Sequence, residues 1–463
     1  MTSSTFETIY QEMKKEIDIW RPLLVDFLRI PSISTASSYK ADVLRCHDWL
    51  IEQLKSIGFR VESIPTSRNP VILAHMEGPS QSPQVLIYGH YDVQPADPHE
   101  LWTHPAFEPF IDESGEIFAR GAQDNKGQLW AVIQSIRLLK KQGRLACSVT
   151  LCIEGEEESG SVGLFEILDS LKDKIKADAL LVVDVDVPQK DLPAVTLGCR
   201  GNITMTLELT GSNSDLHSGM HGGIVFNPLH AVVQMLGNMR AADGKILIDG
   251  FYDDVETLSE DEKKDFMLEF DEASYEKTFG AKPNGGEQAF SPIESCWMRP
   301  TLEINGLSGG YSGEGFKTVI PAKATAKISC RLVPNQDPKK ILECLKKRLK
   351  ELTPEGMDLK ITLHGQSSWA RANPSALIVK AARAAYSEAF GKPCTCILSG
   401  GSIPITACLA ETAGADVLFI GYGLGDDNIH APNEHYGTDR VITLAGILAA
   451  TLENYAQLTQ KST

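Results

Sequence analysis

The sequence predicts an α/β fold: a three-layer α/β domain interrupted by an inserted ferredoxin-like α+β domain. Three observations predict it. The first part alternates helical and strand patterns, as a layered α/β domain does. The middle runs strand, helix, two strands, helix, strand, which is the ferredoxin-like order. The tail then returns to α/β character. One domain is therefore expected inside another, with the α/β parts at 1–198 and 369–463 and the insertion at 199–368.

In the first part, Ala41 to Ile57 carries apolar residues at helical spacing, Val85 to Tyr88 reads as a buried strand and Gly127 to Leu139 as a helix. Cys147 to Ile153 and Ala179 to Val183 are further strands. The middle opens with the alternating strand Ile203 to Leu209 and a helix from Asn227 to Met239 that starts at Asn227-Pro228. Strands Thr301 to Ile304 and Ala324 to Leu332, the charged amphipathic helix Asp337 to Leu352 and the strand Leu359 to Leu363 complete it. The tail holds a helix from Ser375 to Phe390, a strand from Val417 to Ile420 and a helix from Val441 to Ala456. Ala241 to Met298, rich in Asp and Glu, is an elaboration that the pattern does not place.

A chain of 463 residues exceeds one ordinary core, so two domains are the default. Lys plus Arg total 44 against 61 Asp plus Glu, a net charge of -17 that disfavours binding to nucleic acid or an anionic membrane. Met1 to Trp20 lack a secretory apolar core, and no apolar run reads as long enough for a membrane span. The ten cysteines are scattered through apolar segments rather than set in a short framework, which points to reduced thiols in a cytoplasm. Cys394 and Cys396 share one strand face and read as buried strand residues rather than a metal clip.

Five segments carry residues with metal chemistry. Glu157 and Glu158 follow a strand, within Glu154-Gly155-Glu156-Glu157-Glu158. Adjacent carboxylates delivered to a sheet end repel one another unless a cation offsets them. One then ligates metal while the other takes a proton from water. Standing alone, such a triplet reads as a solvated acidic loop. In Tyr88-Gly89-His90-Tyr91-Asp92, alternation puts His90 and Asp92 on one face, so the carboxylate is expected to hold one ring nitrogen while the other binds metal. A lone histidine there would be a hydrogen-bonded core residue. Asp124 enters a helix and offers two oxygens to bridge two cations, or else a simple N-cap. Asp184 ends Leu181-Val182-Val183, with Asp186 as a rival, and the fifth segment is Asp426-Asp427-Asn428-Ile429-His430-Ala431-Pro432-Asn433-Glu434.

Together these segments resemble the co-catalytic metallopeptidase family of aminoacylase, acetylornithine deacetylase, succinyl-diaminopimelate desuccinylase and the carnosinase-type dipeptidases. The resemblance covers almost the whole chain. It implies that His90 and Asp184 hold one metal, Glu158 and His430 the other, that Asp124 bridges them, that Glu157 is the general base and that Asp92 orients His90. Two divalent cations, three carboxylate ligands and a shared hydroxide then sum to zero charge, which tolerates partial burial. Metals about 3.5 to 4 Å apart acidify the water between them and polarise the scissile carbonyl. Histidine and carboxylate ligands suit zinc foremost, with manganese or cobalt open. The family often has a second Asp where this chain has Asn125, and it implies a cis peptide between Asp124 and Asn125.

Asp215-Leu216-His217-Ser218-Gly219 is similar to the dipeptidase form of a loop whose histidine stabilises the oxyanion in the partner subunit, implying a homodimer. His217 and His221 also read as an i, i+4 metal pair, but Gly219, Gly222 and Gly223 argue against a helix there. Lys317-Thr318-Val319-Ile320-Pro321, Arg331-Leu332-Val333-Pro334 and Gly400-Gly401-Ser402-Ile403-Pro404 match the carnosinase-like subgroup. They imply that Thr318, Arg331 and Ser402 bind the substrate, with Arg331 forking a terminal carboxylate. Alone, Arg331 would be a surface ion pair. The subgroup carries an acidic residue where Ser399 stands.

The glycine-rich Gly310 to Thr318 is no phosphate loop, because Phe316 separates glycine from lysine, and no Gly-x-Ser-x-Gly elbow marks a serine hydrolase. The expected function is a dimeric cytoplasmic metallohydrolase of dipeptides, with the insertion as lid and dimerisation domain. An N-acyl amino acid hydrolase on the same centre is the nearest alternative. A noncatalytic binding protein on the same fold is the alternative from another class; intact Glu157 and all five ligand candidates oppose it.

Overall fold

A computed structural model describes residues 4–257, 263, 264, 266 and 269–462 of the chain. Residues 258–262, 265, 267 and 268 of the acidic elaboration lie outside the described residues. The chain divides into two compact units, one of residues 1–198, 371–398 and 405–463, the other of residues 199–370 and 399–404.

The first unit is built on a mixed sheet. Its centre is parallel: Ser148–Glu154, Gln84–His90, Ala179–Val182 and Asp416–Phe419 lie side by side in that order. Val71–Met76 and then Arg60–Ile64 extend one edge antiparallel. The central strands are buried along nearly their whole length, which is why they read as continuous apolar runs. Open parallel sheets collect function where the strands end, and here the central strands end at His90, Glu154 and Val182. The helix Lys126–Lys141 is buried along most of its length, from Lys126 itself to Leu139.

The C-terminal helix corrects one expectation. Thr438–Lys461 is long and apolar enough to cross a membrane, with a mean hydropathy of 1.2, so such a stretch does exist. Yet 72% of the apolar 18-residue stretch within it is buried inside the protein. It packs against Thr5–Lys15, Lys126–Lys141 and Leu377–Phe390 as a core helix.

The second unit centres on a four-stranded antiparallel sheet ordered Thr301–Gly309, Lys323–Leu332, Gly201–Thr210, Asp358–Ser367. In Gly201–Thr210 every second residue is buried, so Ile203, Met205, Leu207 and Leu209 face one side. Helices Pro228–Gly237 and Pro338–Leu352 cover that side through Val232, Met235, Ile341 and Leu345. Each begins with proline behind a side-chain cap, Asn227 accepting from the N–H of Leu229 and Asp337 from that of Lys339. Residues 399–404 belong to this unit and not to the tail where the sequence reading put them. Arg200 holds them, donating its N–H to Gly401 O at 2.9 Å and its Nε to Gly400 O at 2.8 Å.

Candidate metal centre

His90 is the last residue of its strand and fully buried. Its Nδ1 lies 3.0 Å from the carbonyl oxygen of Asp92 and 3.3 Å from Oδ1 of that residue, so backbone and carboxylate together hold the ring. The Asp92 carboxylate does more than orient a histidine. It accepts the backbone N–H of Glu157 at 3.2 Å, that of Glu158 at 3.1 Å and the Ser34 hydroxyl at 2.6 Å. The turn Glu157–Ser159 is thereby fastened to the histidine strand.

Asp124 is not a helix cap. Asn125 takes the N-cap position of Lys126–Lys141 and makes no side-chain capping bond. The two oxygens of Asp124 face two different histidines: Oδ1 lies 3.2 Å from His90 Nε2 and Oδ2 lies 2.9 Å from His430 Nε2. Asp184 Oδ2 is 3.7 Å from His90 Nε2, and Glu158 Oε2 is 3.4 Å from His430 Nε2. The result is two groups, His90–Asp124–Asp184 and Asp124–Glu158–His430, each with its ligand atoms within 4.8 Å of one another. Asp186 joins neither, accepting instead from Gln123 Nε2 at 2.7 Å. The Asp124–Asn125 peptide is cis. Asn125 Nδ2 donates to Asp184 Oδ1 at 2.8 Å and to Val183 O at 2.6 Å, bonds that an Asp at this position would not make.

The electrostatics of the cluster suit a cation. Burial first, with Asp184, Glu158 and Asp124 adding to it against the opposing pull of His90, holds the Glu157 carboxyl well above the usual carboxylate range. Burial and Asp124 push Glu158 up to about 7. The Asp124 and Glu158 carboxylates raise His430 to about 10. His90 Nε2 and Glu158 Oε1 are buried without a hydrogen-bond partner among the described residues. An unpaired buried polar atom costs about 1 to 3 kcal/mol, and two of them aimed into one acidic cluster fit a pair of divalent cations.

The second unit carries the remaining candidates. His217 is exposed and caps a single helical turn, Ser218–His221, its Nδ1 accepting from the N–H of Gly219 at 3.0 Å. The glycines thus do not prevent a helical turn, and they end it at Gly222. His217 and His221 do not form a metal group among the described residues. Thr318 lies beside them: His217 pairs with Val319, and Thr318 O accepts the N–H of Ser218 at 3.1 Å. Arg331, half-buried, donates Nη1 to Ser402 Oγ at 2.8 Å, and burial lowers its pKa. It makes no ion pair among the described residues, so a surface salt bridge does not account for it. Sequence reasoning assigned no role to Gln94, which donates to Glu158 Oε2 at 2.6 Å, nor to Arg120 and Glu434 behind the Asp124 loop.

The sequence pattern of peptidase family M20/M25/M40 matches residues 86–454. The Cys-Gly metallodipeptidase DUG1 of Saccharomyces cerevisiae is 30% identical over 98% of this chain and 99% of its own length. Human Beta-Ala-His dipeptidase is 29% identical over 98% of this chain and 93% of its own. Among solved structures, the yeast di-peptidase Dug1p superposes with a TM-score of 0.87 at 29% identity, covering 98% and 99% of the two chains. The metallo-carboxypeptidase Sso-CP2 of Sulfolobus solfataricus gives 0.87 at 32% identity, covering 95% and 99%. Human carnosine dipeptidase 1 gives 0.85 at 27%, covering 99% and 100%.

Proposed function

From the premise that the chain belongs to peptidase family M20/M25/M40, we propose that it is a dinuclear metallodipeptidase hydrolysing dipeptides with a free C-terminal carboxylate. The observation that carries this reading is Asp124, whose two oxygens face His90 and His430 and so join two ligand groups into one centre. His90 and Asp184 would hold one ion, Glu158 and His430 the other. Zinc suits these ligands, and manganese or cobalt are the alternatives. When bound, two such ions supply an acidified water and a Lewis acid for the scissile carbonyl.

The protein's own groups do the rest. Glu157 takes the proton of the attacking water and returns it to the leaving amine. Asp92 fixes both the His90 ring and the backbone that carries Glu157. In the second unit, Arg331 with Ser402 receives the substrate's terminal carboxylate and Thr318 its backbone. The exposed Nε2 face of His217 donates to the oxyanion, in a homodimer where it serves the partner subunit's centre. All ten cysteines are free thiols, which suits a reducing cytoplasm.

Ser399 favours a second reading. Its hydroxyl accepts the N–H of Gly401 at 3.1 Å and offers no charge to a substrate ammonium. An N-acyl amino acid needs none, so a deacylase on the same centre is the alternative. Chelator-stripped protein reloaded with zinc, manganese or cobalt in turn should cleave free dipeptides faster than N-acetyl amino acids. The reverse order assigns the deacylase, and metal uptake without turnover of either assigns a noncatalytic binding protein.

A further inference from the structure

We infer that Glu434 is the positioning residue that sets the bridging carboxylate of Asp124, and with it the affinity of both metal sites. The inference rests on the dinuclear reading of the centre. His435–Gly437 pairs antiparallel with Glu116–Phe118, which brings Glu434 alongside the chain leading into the Asp124 loop, its carbonyl accepting the N–H of Ala119 at 3.0 Å. Its fully buried carboxylate then meets four donors of that loop. Oε2 accepts Arg120 Nη1 at 2.7 Å and the N–H of Gly121 at 2.8 Å. Oε1 accepts the N–H of Gln123 and that of Asp124 itself, each at 3.0 Å.

The loop is shaped to close on this one side chain. Gly121 has φ +84°, and a Cβ there would stand 2.7 Å from Val93 Cγ1, so only glycine lets the chain curl around the carboxylate. Asn433 pins the other strand of the loop, accepting the N–H of Thr103 at 2.8 Å and donating to Leu101 O at 3.1 Å. Three residues before these anchors His430 sits at φ 59°, a conformation the surroundings must hold. Glu434 therefore couples the backbone of the shared ligand to the loop of a second ligand. A carboxylate is required because all four contacts are donors and Arg120, 1% exposed, brings a positive charge. A glutamine amide would turn its own N–H groups toward two of them.

Because Asp124 faces both histidines, disturbing it should weaken both metal-binding steps together, whereas losing a ligand of one site should weaken one. Metal-free wild type, Glu434→Gln, Glu434→Asp, Glu158→Gln and Glu16→Gln would be titrated with zinc against a chromophoric chelator, with melting curves of each metal-free protein. Glu16→Gln cuts an ion pair to Arg137 at 2.6 Å that touches neither ligand loop, and so reports on stability alone. Glu434→Gln should lose about 10- to 100-fold in affinity at both steps, the usual effect of removing an outer partner of a metal ligand. Glu158→Gln should lose one step and Glu16→Gln neither. Glu434→Asp keeps the charge but is one methylene short, and should fall between; it decides the matter if Glu434→Gln does not fold. Wild-type affinity at both steps in whichever Glu434 variant folds would overturn the inference while leaving the dinuclear reading intact. Failure of the wild type to bind two equivalents would remove both.

Discussion

The carboxylate of Asp92 accepts the backbone N–H of Glu158 at 3.1 Å, so the residue that steadies the His90 ring also fixes the turn that carries a second candidate ligand. An asparagine keeps one acceptor but points an amide N–H at the remaining donors of the turn. Asp92→Asn is therefore expected to lower kcat by about 10- to 100-fold with overall folding unchanged by circular dichroism. A variant that keeps more than half of wild-type turnover would show that the turn is held by other contacts.

Glu157 and Glu158 are adjacent yet placed differently. Glu158 reaches His430 at 3.4 Å and belongs to a candidate metal group, while Glu157 joins none among the described residues. Glu157→Gln should abolish turnover, a loss of roughly a thousandfold or more for a general base, while two metals per subunit remain. Glu158→Gln should lose about one metal equivalent. Elemental analysis beside single-turnover assays checks both, and equal metal loss in the two variants would sink the division of labour.

What could be read from residue order was the chemistry that local segments carry. Gln84–His90 is an apolar run ending in a candidate ligand and Ser148–Glu154 one followed closely by the Glu157–Glu158 pair, so both the parallel sheet and its candidate reactive edge were visible. Asp124 was ambiguous because its neighbours allow an N-cap. What sets it apart from a cap is the contact of its Oδ2 with His430, 306 residues away. Glu434 left no signal beyond its place in an acidic segment, since its four partners are mostly backbone N–H groups of a distant loop. The placement of residues 399–404 was hidden for the same reason, being set by Arg200. The helix Thr5–Lys15 was passed over among mixed charges, though Phe6, Ile9 and Met13 fall on one buried face at helical spacing.

Specificity should follow Arg331. Its guanidinium is half-buried, hydrogen-bonded to Ser402 and without an ion pair among the described residues. Dipeptide C-terminal amides should lose about 100-fold or more in kcat/KM relative to the free acids, because a desolvated guanidinium left without its partner costs several kcal/mol. Arg331→Ala should narrow that gap by impairing only the acids. Comparable rates on acids and amides with the wild type would remove the carboxylate role.

The dimer is tested by complementation between two dead enzymes. His217 and Glu157 belong to different units of the chain, and His217 is exposed with its Nδ1 engaged by the N–H of Gly219. If it serves the partner's centre, His217→Ala and Glu157→Ala homodimers should each be inactive, since every site lacks one group. After dissociation and mixing, half of the dimers pair one of each kind. In such a heterodimer the site that keeps Glu157 also receives an intact His217, and the other site lacks both. About a quarter of all sites should then recover wild-type turnover under random pairing in a closed two-fold dimer. If His217 serves its own subunit, every site retains one lesion whatever the pairing. Subunits labelled to prove exchange, yet inactive after mixing, would place His217 in its own subunit's centre or outside catalysis altogether.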